Sequence, residues 1–107
     1  ALDIAFEKMA SYSFSLHDMQ LAAKMWVDFV QIYSPRIRKP QAWAGALIFS
    51  FSRINDFNII PVGKIAKDLG ISNGTIYTNE LKIFSALELQ RFDPRYVNEE
   101  GFMLSLF

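Results

Sequence analysis

Apolar residues in this chain recur every three or four positions, and the phase resets at a few polar or proline breaks. Leu2, Ala5, Phe6 and Met9 share one face, so residues 1 to 11 predict a short amphipathic helix, with Asp3 and Glu7 favouring its N-terminal half. Ser15 followed by Asp18 resembles a capping box. The long helix it opens carries Met19, Ala22, Trp26, Phe29, Val30 and Tyr33 on a buried stripe and turns Gln20, Lys24, Asp28 and Gln31 outward, until Pro35 ends it. After the basic linker SPRIRKP, Pro40 begins QAWAGALIFSFSRI, which is apolar nearly all round and therefore belongs inside other helices. Ala42, Ala44, Gly45 and Ala46 admit close neighbours, whereas Trp43, Leu47, Ile48, Phe49 and Phe51 fill volume.

The stretch from Pro61 to Leu87, PVGKIAKDLGISNGTIYTNELKIFSAL, reads as a helix, a tight turn and a second helix in helix-turn-helix spacing. Ala66 lets the second helix approach, Gly70 accepts the positive φ of the turn, and Ile65, Leu69, Ile71 and Ile76 bury the facing sides. Asn73-Gly74 is also a hairpin signal, but neither flank alternates like a strand. Asn73-Gly74-Thr75 matches a glycosylation acceptor and is read as a chance match, since no secretory segment is visible. NDFNII turns the chain into this unit. Residues 92 to 107 predict an irregular tail in which Phe92, Tyr96, Phe102, Leu104 and Phe107 serve as packing anchors. The expected architecture is all-α, a single domain of about five helices around a central helix from Ala42 to Ile54.

Composition changes this picture in three ways. The chain of 107 residues is 51% hydrophobic, enough for one core, and its opening on Ala1 reads as a domain cut from a longer chain. Cysteine is absent, so disulfide and thiolate chemistry are excluded, which is compatible with a cytoplasmic location. The run from Ala42 to Phe51 is too short for a bilayer, so no membrane role is expected. Formal net charge is zero, which argues against strong nonspecific attraction to nucleic acid. Charge is nevertheless uneven: residues 24 to 53 hold Lys24, Arg36, Arg38, Lys39 and Arg53 against Asp28, and the tail is acidic through Asp93, Glu99 and Glu100 against Arg95.

Several of these residues carry a resemblance. A buried helix introduced by Lys39-Pro40, an AWAGALIFS core, and then AKDLGISNGTI look like one cyclin-box repeat of the kind used in transcription factor IIB, over residues 15 to 90. There two repeats act together on DNA and polymerase, and this chain holds one. The chain also resembles an uncharacterised bacterial domain with no assigned chemistry. That similarity rests on Lys39, Pro40, Trp43, Ala44, Arg53 and Asn55, then Leu69, Gly70, Ser72 and Thr75, then Phe92, Asp93 and Pro94.

Two function classes stay open. If the second helix of the motif enters a major groove, Ser72, Thr75, Thr78, Asn79 and Lys82 are the candidate readers, Lys64 and Lys67 the phosphate contacts, and Arg36, Arg38 and Lys39 a phosphate clamp. Glu80 would repel phosphate, and Tyr77, Leu81 and Phe84 add a second apolar stripe. The rival is a protein-interaction adaptor, suited by zero net charge and the apolar end FMLSLF; its partner would be another protein or an upstream domain of the same chain. Arg53 and Asn55 are expected to cap the buried helix, and Trp26 and Trp43 to be core aromatics, with base stacking as the other reading. His17 is the only imidazole, and no metal cluster, nucleophile with its base, or glycine-rich phosphate loop is visible, so no enzyme, cofactor or metal is expected.

Overall fold

The computed structural model describes residues 1–56 and 58–107, and all its regular structure is helical. The order is α1 (Leu2–Ser11), α2 (Leu16–Tyr33), α3 (Pro40–Asn55), α4 (Val62–Leu69), α5 (Asn73–Leu87) and α6 (Glu99–Ser105). Local chemistry sets most of these boundaries. Ser15 Oγ accepts from Asp18 N while Ser15 N donates to Asp18 Oδ2, a complete capping box at the start of α2. α2 stops at Ser34, which turns left-handed before Pro35, and Pro40 fits the first turn of α3 where no N–H is needed. Residue 57, within the NDFNII connection, lies outside the described residues.

α3 is the centre. It contacts each of the other five helices, and from Ala42 to Ser52 it is buried on every side, as expected of a helix with no polar face. The core around it joins Met9, Phe14, Met25, Phe29, Leu47, Phe51, Ile54, Ile65, Ile76 and Ile83. Trp26, Phe29, Tyr33 and Trp43 form an aromatic cluster with ring centroids 5.2 to 6.4 Å apart, which closes the α2–α3 seam. No helix among the described residues is long and apolar enough to cross a membrane.

Four expectations need correction. The tail is not irregular throughout: Asn98 caps α6, its side chain accepting from Gly101 N at 2.7 Å. Phe102, Leu104 and Phe107 are not anchors but exposed, since α6 rests on α3 through Gly101; Tyr96 is the anchor, fully buried. Asp28 does not face out freely, because the Tyr96 hydroxyl donates to its Oδ2 at 2.7 Å and holds it half-buried. Tyr33 lies largely exposed at the end of its stripe, stacked on Phe29.

Candidate nucleic-acid interface

α4 and α5 are joined by three residues, and the turn is made by chemistry the sequence states openly. Gly70 adopts φ +69°, its N–H bonding back to α4, and Ile71 N reaches Ala66 O at 3.0 Å. Ile71 then points into the fold, where a Cβ on Gly45 would lie 3.1 Å from its Cδ1, so the turn is seated on the first half of α3. Ser72 caps α5: its Oγ accepts from Thr75 N at 3.1 Å and shares a hydrogen bond with Thr75 Oγ1 at 2.8 Å. Both hydroxyls are thus occupied in starting the helix.

The buried face of α5 is Ile76, Asn79, Glu80, Ile83 and Leu87, a regular helical stripe. Asn79, expected to read bases, is 8% exposed and faces the core, so it is withdrawn from the candidates. Glu80 is 6% exposed and accepts from Arg53 Nη1 at 2.8 and 2.9 Å. Burial raises the Glu80 carboxyl above its ordinary value, and the arginine beside it works against that rise. Arg53, whose guanidinium also lies 5.6 Å from the Phe49 ring and 5.3 Å from the Phe84 ring, therefore bridges α3 to α5 instead of capping its own helix. Asp56 takes the cap position, and Asn55 turns inward, donating to Phe51 O. Glu80 is consequently not a free charge that would repel phosphate.

Two of the lysines are also engaged. Lys82 is half-buried with Nζ 5.8 Å from the centre of the Trp43 ring, so it covers the aromatic cluster. Lys64 is exposed but pairs with Asp68 at 3.3 Å, where Tyr12 Oη also donates at 2.6 Å. The hydrogen bond from Tyr12 and the neighbouring lysine hold Asp68 below the usual carboxylate range. Trp26 and Trp43 are buried in the seam and present no stacking platform.

What remains open to solvent lies on α5, on α4 and in the loop before α3. Asn73, Gly74, Tyr77 and Thr78 form the outward side of the first two turns of α5, and Lys67 is exposed on α4. Arg36, Arg38 and Lys39 are exposed in the loop that leads into α3, and none of these four cations pairs with a carboxylate among the described residues. Sequence reasoning missed Asn73 and Tyr77, although Ser72 as a cap and Ile76 as an inward position fix both outward at about 100° per residue. No group of His, Cys, Asp and Glu that could hold a metal occurs among the described residues. Comparison with protein-family models, with curated proteins and with solved structures gives no match to this chain.

Proposed function

We propose that this chain is a module that contacts duplex DNA through α4, the Gly70 turn and α5 used as a helix-turn-helix. The observation that carries the reading is the outward side of α5, whose first two turns present Asn73, Tyr77 and Thr78 while Ile76 and Ile83 anchor the back of the same helix in the core. Asn and Thr supply donors and acceptors for base edges or phosphate oxygens, and Lys67, Arg36, Arg38 and Lys39 supply the phosphate contacts. On this reading the bundle works as a single cyclin-box-like repeat associated with transcription.

Base readout is modest, because no arginine on α5 makes the bidentate contact to guanine that gives strong discrimination. Binding therefore depends on phosphate neutralisation and is salt-sensitive. With four cations engaged, the log-log slope of affinity against salt is about −3 to −4, each contact contributing about −0.9. Fluorescence anisotropy of a labelled duplex, titrated at several salt concentrations, tests this. Lys67→Ala and Arg38→Ala should each reduce the slope by about one contact. No binding at low salt, or slopes unchanged in both variants, rejects the proposal.

A protein-interaction role is the second reading, and one observation favours it: α2 and α5 leave an uncovered apolar groove at Ile32, Tyr33 and Leu81.

A further inference from the structure

Among the described residues, the exposed large apolar side chains gather mainly at two places. One is the groove of about 480 Å³ between the end of α2 and the second half of α5, lined by Ile32, Tyr33, Leu81, Lys82, Ser85 and Ala86. Leu81 is 67% exposed there, and the chain leaves Tyr33 directly into the basic loop holding Arg36, Ile37, Arg38 and Lys39, with Ile37 also exposed. The other place is α6 and its end, where Phe102, Met103, Leu104, Leu106 and Phe107 project outward behind an acidic first turn, Glu99 and Glu100.

The second patch is held firmly. Asn98 Nδ2 donates to Asp18 Oδ1 at 2.8 Å, Asn98 N donates to the buried Asn55 Oδ1 at 2.7 Å, and Gly101 packs so closely that a Cβ would lie 2.6 Å from Asn55 Oδ1. α6 is thus a fixed knob at the start of α2, whereas the groove lies at the far end of the same helix. At about 1.5 Å per residue, Asp18 and Ile32 are roughly 20 Å apart along α2, so no molecule can place its own α6 in its own groove. The two patches match in kind: apolar knob to apolar groove, and acidic first turn to Lys82 in the groove and the basic loop that follows Tyr33 in the chain.

We infer that the groove between α2 and α5 receives α6 of a second copy of this chain. The contact is heterologous, with groove and knob on different surfaces, so each copy that donates its knob keeps a free groove and association is head-to-tail. Phe102 and Phe107 supply the aromatic anchors, and Glu99 and Glu100 set the register against Arg36, Arg38 and Lys39.

Sedimentation velocity from low micromolar protein to about 1 mM reads the outcome directly. Mass should rise with concentration, and the association should weaken in high salt as the charged rims are screened. Leu81→Glu and Phe102→Glu each alter an exposed residue, so circular dichroism should report an intact fold, and each variant alone should associate at least about tenfold more weakly. An equimolar mixture should instead form a dimer, because the Phe102→Glu copy keeps its groove and the Leu81→Glu copy keeps its knob. Phe107→Glu, at a fully exposed position, repeats the test without touching α6 itself. A wild-type chain that stays monomeric across the range overturns the inference, as does a mixture that fails to pair. Arg36, Arg38 and Lys39 serve both readings, but Phe102 is not a proposed DNA contact: a chain that self-associates without binding duplex keeps this inference and fails the proposed function, and one that binds duplex while staying monomeric does the reverse.

Discussion

Asp93 organises a stretch that has no regular structure. Its Oδ1 accepts from Arg95 N and Nε at 3.1 and 3.0 Å, its Oδ2 from Arg95 Nη2 at 3.0 Å and Gln90 N at 3.3 Å, and the same Nη2 donates to Leu87 O at 2.6 Å. Burial pushes the carboxyl up, but the hydrogen bonds from Arg95 and Gln90 outweigh it and leave it below the usual carboxylate range. A lowered native value means that the unfolded chain takes the proton first as pH falls. The stability Asp93 contributes is therefore complete above the ordinary value of 3.8 and is lost as pH drops through the lowered native one. Asp93→Asn should be less stable at neutral pH, and the gap to wild type should narrow between about pH 5 and pH 2. Parallel curves of melting temperature against pH would show that the carboxylate has no such role. Glu80 runs the opposite way: its raised native value makes its contribution decline as pH climbs from 4.5 through that value, so Glu80→Gln should flatten this part of the curve. Two further substitutions test packing at single atoms. Gly101→Ala puts a methyl against Asn55 Oδ1 and 2.8 Å from Val97 Cγ2, and should cost about 1 to 3 kcal/mol in thermal or denaturant unfolding. Gly63→Ala on α4 meets nothing within 4 Å and should stabilise by about 0.5 to 1 kcal/mol, since glycine's extra freedom in the unfolded chain is removed. Equal effects at the two glycines would refute this account of α6.

At the scale of elements, α3 and α5 form the seam on which the rest depends. Gly45 sits where α3 meets α4 and the turn: its missing Cβ would lie 3.1 Å from Ile71 Cδ1, 3.3 Å from Leu69 Cδ1 and 3.4 Å from Ile65 Cγ2. All three are side-chain ends that can shift slightly, so Gly45→Ala is tolerated, whereas Gly45→Leu overpacks the crossing and should cost about 1 to 3 kcal/mol or more. An unchanged melting temperature in Gly45→Leu would remove this description of the seam. Helix starts and stops on this seam were largely legible in the sequence, because proline at Pro40 and glycine at Gly70 act through backbone geometry that needs no partner. The capping box at Ser15 was legible for the same local reason. What hydropathy could not reveal was the polar part of the buried stripe. Asn79 and Glu80 share a face with Ile76 and Ile83, but a polar residue announces burial only through its partner, and Arg53 lies 27 positions away. The candidate interface suffered accordingly, losing Asn79 to the core and Lys82 to its contact with Trp43, and gaining Asn73 and Tyr77. α6 escaped notice because its apolar residues fall on all sides without period. Its readable signal was local, an asparagine cap at Asn98 followed by two glutamates in the first turn.

Over the whole molecule, a helix that touches all others makes separate melting of its neighbours costly. Removing α2 exposes Trp43, and removing α5 strands Arg53 and uncovers Phe49, so each loss opens apolar surface on α3 that has no second cover. The long-range polar ties close the same circuit. Tyr12 reaches Asp68 from α1 to α4, Tyr96 reaches Asp28 from the segment after α5 to α2, and Asn98 joins Asp18 and Asn55. With every helix tied to α3 or to another part of the ring, unfolding should be a single cooperative transition. Two probes test this from different places. Fluorescence follows Trp26 and Trp43, both in the seam between α2 and α3, whereas far-ultraviolet circular dichroism follows all six helices together. Their denaturant midpoints should coincide. If fluorescence changes first, the α2 seam opens as its own unit and α3 is not the common support; if dichroism falls first while fluorescence holds, the weak elements lie outside the α2–α3 seam. Because Lys67 stands on α4, early loss of α4 would also predict that the proposed duplex binding disappears before the core melts, a link that anisotropy measured along the same denaturant series would reveal.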